Sequence, residues 1–215
     1  DLHGSKLVYA LKTRLPKARF TGMGGTRMQE VGVDTLFGIE RMGAVGIVEV
    51  LGDFDHYYKV YRTLMREIAS RRYDAVILID YPTLNLRLAK QGKRFNCPVF
   101  YFISPQVWAW RKGRIRDIRD SVNKMFVILP FEEKMYLDAG VDAEFLGHPF
   151  VDLVHPSRTR EESRIKYSLN PAIKTIGLVP GSRMNEVNSL LGVMIQAAKK
   201  IQSELGSCQF LLPVA

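Results

Sequence analysis

Five apolar residues run into a carboxylate and a proline in the segment that decides the fold, Ala75-Val76-Ile77-Leu78-Ile79-Asp80-Tyr81-Pro82. A short, continuous apolar run of this kind is typical of a strand that is buried on both faces of a parallel sheet. A similar run, Thr175-Ile176-Gly177-Leu178-Val179, leads into Pro180-Gly181-Ser182-Arg183. In open α/β sheets, ligands bind just past the carboxyl ends of the strands. The two segments therefore predict a carboxylate and an anion-binding loop at two strand ends, as in a group-transfer site.

Apolar runs alternate with amphipathic helices along most of the chain. The predicted strands are residues 18–21, 75–79, 99–103, 125–129, 143–146, 174–179 and 209–212. The predicted helices are residues 2–15, 54–70, 84–93, 113–122, 131–139, 160–168 and 185–205. Residues 22–25 are predicted as a turn that uses the backbone freedom of glycine. This alternation predicts an α/β fold with a doubly wound, parallel, Rossmann-like sheet.

The composition changes at residues 148–158, where proline and charged residues replace apolar ones. We interpret this segment as a linker or crossover, which predicts a first domain at residues 1–150 and a second at 151–215. Both ends are expected to be cut. The first domain would lack its first strand, and the second would be only the beginning of an α/β domain, because two strands rarely form a stable sheet alone.

The overall composition is that of a globular protein, with 47% hydrophobic and 25% charged residues. Cys97 and Cys208 have neither metal nor redox spacing, so we expect reduced core cysteines in a cytoplasmic protein. The net charge of +9 indicates an anionic partner, either nucleic acid, an acidic membrane surface or a phosphorylated substrate. Composition alone does not choose among the three.

Two strand ends carry the candidate chemistry, and each has a structural alternative. Asp80 precedes a proline, so a stiff turn would hold its carboxylate as a general base. Alternatively, Asp80 only caps the next helix or hydrogen-bonds the turn.

Gly181, Ser182 and Arg183 open a helix, where N–H groups, the helix dipole and a guanidinium favour phosphate. The alternative there is an ordinary cap with a surface arginine, in which Glu186 completes the cap or pairs with Arg183.

A third strand end leads into an aromatic and basic segment, Ser104-Pro105-Gln106-Val107-Trp108-Ala109-Trp110-Arg111. The two tryptophans are either a core pair or one wall of a binding site, and their place after a strand favours the wall. Around the helix at residues 113–122, six basic residues stand against two acidic ones, Asp117 and Asp120. This helix presents either an ordinary solvated face or a surface for anionic lipid or phosphate.

Two further features stay ambiguous from the residues alone. The apolar segment at residues 42–51 is either a core element, which the pattern favours, or a lip that receives acyl chains or touches a bilayer. His148 closes a strand and either lines a cleft or has a structural role. The four histidines form no metal spacing, and neither a metal nor a cofactor is predicted.

Eight segments occur in an order that resembles the lipid-A-disaccharide synthases, bacterial glycosyltransferases of the GT-B type. They are residues 1–4, 20–28, 42–51, 79–85, 103–111, 129–132, 145–149 and 179–183. The string from Ser104 to Arg111 is the most specific of them. One departure is clear: where the family often has Asp-x-Pro-Asp-Phe-Asn, this chain has Asp80-Tyr81-Pro82-Thr83-Leu84-Asn85 and so lacks the second carboxylate.

The resemblance implies an inverting transfer of 2,3-diacylglucosamine from its UDP derivative to 2,3-diacylglucosamine 1-phosphate, which forms a β-1,6 disaccharide and releases UDP. It implies Asp80 as the base that deprotonates the acceptor hydroxyl and Arg183 as a phosphate ligand. The other implied substrate-binding residues are Gly181, Ser182, Asn85, Ser104, Trp108, Trp110, Arg111 and His148. The implied acyl or membrane contacts are Val45, Ile47, Val48, Val50 and Leu51.

The implied partners are the two sugar lipids and the anionic surface of the inner membrane. The resemblance implies a protein that is peripheral on the cytoplasmic face of that membrane, and a homodimer is left open.

The rival interpretations are another GT-B UDP-sugar enzyme, a basic nucleic-acid-binding module and a non-catalytic binding fragment. The Trp108–Arg111 string argues against the first, and no nucleic-acid motif supports the second. Because much of the UDP site of GT-B enzymes lies in the carboxyl-terminal half, we expect these 215 residues alone not to catalyse.

Overall fold

The computed structural model describes residues 1–39, 54–109, 113–182 and 184–213. The chain divides into two compact units, Asp1–Leu153 and Val154–Ala215. Strands pair in parallel in both units, and helices connect most of them. The predicted α/β fold with parallel strands is therefore confirmed. The functional roles assigned above to domains 1–150 and 151–215 stay predictions.

The elements of the first unit are six strands and seven helices among the described residues. The strands are β1 Phe20–Met23, β2 Val33–Phe37, β3 Val76–Ile79, β4 Val99–Phe102, β5 Lys124–Val127 and β6 Ala143–Phe145. The helices are α1 Leu2–Arg14, α2 Thr26–Glu30, α3 Phe54–Ala69, α4 Pro82–Arg94, α5 Arg114–Ser121, α6 Pro130–Asp138 and α7 Phe150–Leu153. The described elements of the second unit are α8 Arg160–Lys166, β7 Lys174–Gly177, α9 Met184–Leu205 and β8 Cys208–Leu211.

Four strands of the first unit form one sheet in the order β3-β4-β5-β6. Their register pairs Ile79 with Phe102, Phe102 with Phe126, and Val127 with Phe145. Because the strands are parallel and end nearly level, the loops that follow them meet at one edge of the sheet. Strands β1 and β2 form a separate parallel pair.

The hydrophobic core lies around the two central strands of this sheet. Val99, Tyr101, Met125 and Val127 on β4 and β5 have no exposed surface. Helix α4 buries residues 84, 85, 88, 89 and 92 at the spacing of one helical face. The apolar side chains of α4, β4 and β5 belong to one cluster, and burial of each large one stabilises the fold by about 1.5–3 kcal/mol.

The segment after β1 differs from its prediction. Gly22 and Met23 belong to β1, so the predicted turn is wrong for its first half. The next two glycines are described with ordinary φ values, and they are needed for close approach instead. A Cβ at Gly24 would lie 2.7 Å from the Met28 sulfur, and one at Gly25 would lie 3.0 Å from the Asp1 carboxylate. The short elements α2, β2 and α7 were not predicted.

The apolar segment at residues 42–51 lies outside the described residues, so its prediction stays open. Among the residues that the structure does describe, no helix is both long enough and apolar enough to cross a membrane.

Two helical glycines provide a matched test of the packing between α4 and the sheet. A Cβ at Gly92 would collide with the Val99 side chain and lie 3.2 Å from the Cys97 carbonyl, whereas one at Gly192 in α9 meets nothing within 4 Å among the described residues. We expect Gly92→Ala to destabilise the protein, because overpacking costs about 1–3 kcal/mol and outweighs the gain in helix propensity. Gly192→Ala should stabilise it by about 0.5–1 kcal/mol. Thermal unfolding checks both; a stabilised Gly92→Ala would contradict this packing.

Candidate active site

Asp80 sits at the carboxyl end of β3 in a strained conformation. Its φ is 48°, and the φ of Tyr81 is 40°, so two consecutive non-glycine residues lie in the left-handed region. That conformation costs roughly 1–2 kcal/mol per residue. The N-cap of α4 is Tyr81, and no side chain caps this helix, so the alternative of Asp80 as a helix cap is wrong. Asp80 is exposed, which leaves it accessible from solvent.

Two buried side chains hold the strained turn through its carbonyl oxygens. The Tyr101 hydroxyl donates to the Asp80 carbonyl oxygen at 2.6 Å, and Asn85 Nδ2 donates to the same oxygen at 2.7 Å. Asn85 Nδ2 also donates to the Ile79 carbonyl at 3.0 Å. Each such bond contributes about 0.5–1.5 kcal/mol net, which is of the same order as the strain. Burial, and next the Asp80 charge, raise the pKa of Tyr101 far above its ordinary value, so its hydroxyl stays a donor.

Asn85 was predicted to bind substrate, and that role stays a prediction. Its side chain is 9% exposed, and the contacts of its amide nitrogen are with the backbone of the Asp80 turn. The residue occupies the first turn of α4, which places it directly behind the end of β3. Asn85 therefore contacts the candidate site by hydrogen-bonding the backbone that carries Asp80.

The loop after β4 is anchored by a buried carboxylate. Trp108 Nε1 donates to Glu132 Oε1 at 3.1 Å, and the other carboxylate oxygen accepts the Leu129 N–H at 3.3 Å. Glu132 is 1% exposed, whereas Trp108 is 39% exposed and meets Phe131 edge-on at a centroid distance of 5.3 Å. Trp108 is therefore not a core residue, and it offers an aromatic surface at the strand end. Trp110 and Arg111 lie outside the described residues.

Ser104 lies at the start of the same loop, behind its surface. The residue is 5% exposed, and its hydroxyl has no well-aligned hydrogen-bond partner among the described residues. The neighbouring Tyr136 hydroxyl donates to the Pro105 carbonyl at 3.1 Å and fastens the loop to α6. The predicted contact of Ser104 with substrate stays a prediction.

Two histidines share one aromatic contact near the end of β4. His148 Nδ1 accepts the Phe150 N–H at 3.2 Å, and its ring lies 5.1 Å from the ring of Phe150. His3, on α1, lies 5.3 Å from the same ring and meets Phe102 edge-on at 6.5 Å. His3 was not among the predicted site residues, although its place in the segment at residues 1–4 could have marked it. Among the described residues, no group of His, Cys, Asp or Glu side chains could hold a metal ion.

In the second unit, an internal carboxylate occupies the predicted anion loop. The Ser182 N–H donates to Glu186 Oε2 at 3.2 Å. Gly181 has a φ of 111°, and a Cβ there would collide with the Glu186 carboxylate. Glu186 therefore completes the helix cap, as one of the predicted alternatives held. Arg183 lies outside the described residues, so its predicted role in binding phosphate stays open.

The charged face of α5 is partly neutralised by exposed ion pairs. Lys90 and Asp117 are 2.8 Å apart, and Arg119 and Asp120 are 3.0 Å apart. Exposed pairs of this kind contribute about 0–1 kcal/mol, so they leave the helix a solvated basic surface.

Comparison with known proteins identifies the family. The model of the family described as Lipid-A-disaccharide synthetase matches residues 1–215. The chain belongs to this family. Lipid-A-disaccharide synthases from Syntrophus aciditrophicus (strain SB), Geobacter metallireducens and Coxiella burnetii (strain RSA 331) are 46%, 44% and 41% identical to it over 215 residues. Each alignment covers 100% of this chain but only 56% or 57% of the relative, so the chain spans little more than half the length of these curated relatives.

Tryptophan fluorescence can test the anchoring of the Trp108 loop in this synthetase-family chain. The chain has two tryptophans, so Trp108 is the only emitter in a Trp110→Phe background. In that background, Glu132→Ala should shift the emission to longer wavelength, because the indole loses its buried acceptor and gains solvent. Glu132→Gln keeps an acceptor oxygen and should change the emission less. Glu133→Ala is the control on the same helix; equal emission from the Glu132→Ala protein and its parent would show that Glu132 does not hold the ring.

His3 should make the stability of this synthetase-family chain depend on pH. Burial is the largest cause that lowers the pKa of His3, and the Asp80 carboxylate acts in the opposite direction. The folded state therefore favours the neutral imidazole. The associated stability is present above the unfolded pKa of about 6.5 and is lost as pH falls through the lower folded pKa.

We expect urea unfolding to report a lower stability at about pH 5 than at about pH 7. His3→Phe, which keeps a ring against Phe102 and Phe150, should remove part of that decrease. His155→Phe is the control, because His155 is exposed in the second unit. An identical pH dependence in the parent and the His3→Phe variant would contradict the assignment.

Proposed function

We propose that the protein is an inverting glycosyltransferase that joins two acylated sugars. The donor is UDP-2,3-diacylglucosamine, the acceptor is 2,3-diacylglucosamine 1-phosphate, and the products are the β-1,6 disaccharide 1-phosphate and UDP. Membership of the lipid-A-disaccharide synthetase family supports this proposal. The observation that carries it is Asp80, an exposed carboxylate on a turn held by buried donors at the end of a parallel strand.

Asp80 acts as the general base of the transfer. Its carboxylate takes the proton of the acceptor 6-hydroxyl while that oxygen forms a bond to C1 of the donor sugar. The bond between C1 and the phosphate oxygen breaks, its electron pair leaves with UDP, and attack from the opposite face inverts the anomeric carbon. A base in this role must lie about 2.6–3.2 Å from the hydroxyl, and a residue fixed at a strand end meets that need.

The Gly181–Arg183 loop binds the negative charge that accumulates on the leaving diphosphate. The Ser182 N–H already accommodates a carboxylate, that of Glu186. A diphosphate would take over this donor, because two anions do not share one N–H favourably, and Arg183 would grip it bidentately. Glu186 thus serves as an internal substitute for the anion when no substrate is bound.

The remaining contacts concern the lipid parts of the substrates and the membrane. The exposed ring of Trp108 provides an apolar wall for a sugar or an acyl chain. The segment with Val45, Ile47, Val48, Val50 and Leu51 provides the acyl or bilayer contact, and the basic face of α5 provides attraction to anionic lipid at the inner membrane.

Substitutions in the full-length protein test the assignment. Asp80→Asn keeps the size of the side chain but removes the base, so kcat for disaccharide formation should fall by about 10²–10⁴, with KM little changed. Arg183→Ala should lower kcat/KM, because it removes a charge-assisted contact to phosphate. Asp138→Asn, an exposed carboxylate on α6 that pairs with Lys134, is the control and should keep normal turnover. If Asp80→Asn and Arg183→Ala both form disaccharide at the normal rate, the site assignment is wrong.

A further inference from the structure

We propose that Tyr101 and Asn85 are positioning residues that keep Asp80 in its reactive orientation by binding its carbonyl oxygen. This inference rests on the proposed role of Asp80 as the base. Neither residue needs to touch substrate: Tyr101 has no exposed surface, and Asn85 is 9% exposed. Both act through the peptide that carries the carboxylate.

The two donors reach the carbonyl from different elements. Tyr101 belongs to the adjacent strand β4, where it pairs with Leu78, and its hydroxyl reaches past the end of β3 to the Asp80 carbonyl at 2.6 Å. Asn85 reaches back from α4 to the same oxygen at 2.7 Å. A carbonyl oxygen has two lone pairs, so these two donors complete its bonding. The Asp80 N–H donates to the Phe102 carbonyl at 3.0 Å, and both peptides beside the carboxylate are therefore held.

The backbone conformation explains why two buried donors are needed. Asp80 and Tyr81 are both left-handed, a region that non-glycine residues leave readily unless the surroundings hold them there. A change in the φ of Asp80 would swing the carboxylate away from its present direction. Because a misplacement of about 1 Å can cost about a hundredfold in rate, the carbonyl contacts should affect the chemical step.

The Tyr101 hydroxyl is also suited to a permanent contact. Burial raises the pKa of its phenol well above the range in which enzymes work, so it remains a neutral donor throughout. Loss of the hydroxyl alone is a small change, because Phe retains the ring in the core between α4 and the sheet.

Steady-state kinetics of Tyr101→Phe in the full-length protein test the inference. We expect kcat to fall about tenfold to a hundredfold while KM for both substrates stays within about twofold, since the ring remains and no substrate contact is lost. The control is Tyr73→Phe, a half-buried tyrosine on the amino-terminal side of β3 whose hydroxyl donates to the Glu67 carboxylate at 2.6 Å. The control should lose a comparable amount of thermal stability but keep kcat within about threefold.

Two results would overturn the inference: an unchanged kcat in Tyr101→Phe, or an equal fall of kcat in both tyrosine variants, which would indicate general loosening of the fold.

A double-mutant cycle sharpens the test. In an Asp80→Asn background, Tyr101→Phe and Asn85→Leu should produce no further fall in the residual rate, because the group that they position is gone. Additive losses would contradict positioning through Asp80. Failure of the proposed function itself is distinguishable, since the unmodified protein would then form no disaccharide from the two sugar lipids.

Discussion

The hydrogen bonds from Tyr101 and Asn85 to the Asp80 carbonyl are the interaction on which the candidate site depends. Two consecutive left-handed residues cost roughly 2–4 kcal/mol together, and three neutral hydrogen bonds from these side chains return an amount of the same order. The balance requires β4 to lie beside β3 in register and α4 to begin directly after the turn. The pairing of β3 with β4 thus brings Tyr101 to the Asp80 carbonyl, and the start of α4 directly after the turn brings Asn85 to the same oxygen.

Internal carboxylates hold two other predicted binding segments in a similar way, one in each unit. Glu132 is nearly inaccessible, yet it accepts from Trp108 and from the start of α6, so a buried polar group is satisfied while an aromatic ring is held at the surface. Glu186 accepts from Ser182 at the loop where a phosphate was predicted. A backbone that already binds a carboxylate is chemically suited to another anion, which links the cap of α9 to the proposed leaving group.

The sequence predicted the parts of the fold whose signal is local. Buried parallel strands are continuous apolar runs, so β3 and β4 were found, and Asp80 was found because it follows one of them. Strand β2 was missed because Val33-Asp34-Thr35 mixes polar residues into a short element, and α2 has only one turn. The roles of Tyr101 and Asn85 could not be predicted, because a core aromatic and a helical amide reveal their partners only in the folded chain. The ring contacts of His3 with β4 and α7 could not be predicted either, although its place in the segment at residues 1–4 could have marked the residue.

The central claim is that Asp80 is presented, by a turn that Tyr101 and Asn85 hold, to the hydroxyl that attacks the donor sugar. A crystal structure of the full-length protein with 2,3-diacylglucosamine 1-phosphate and UDP bound tests it most directly. The predicted result is an acceptor 6-hydroxyl about 2.6–3.2 Å from an Asp80 carboxylate oxygen, or one water away, with both carbonyl contacts intact. A 6-hydroxyl held beyond that reach, with a different side chain at hydrogen-bonding distance from it, would contradict the claim.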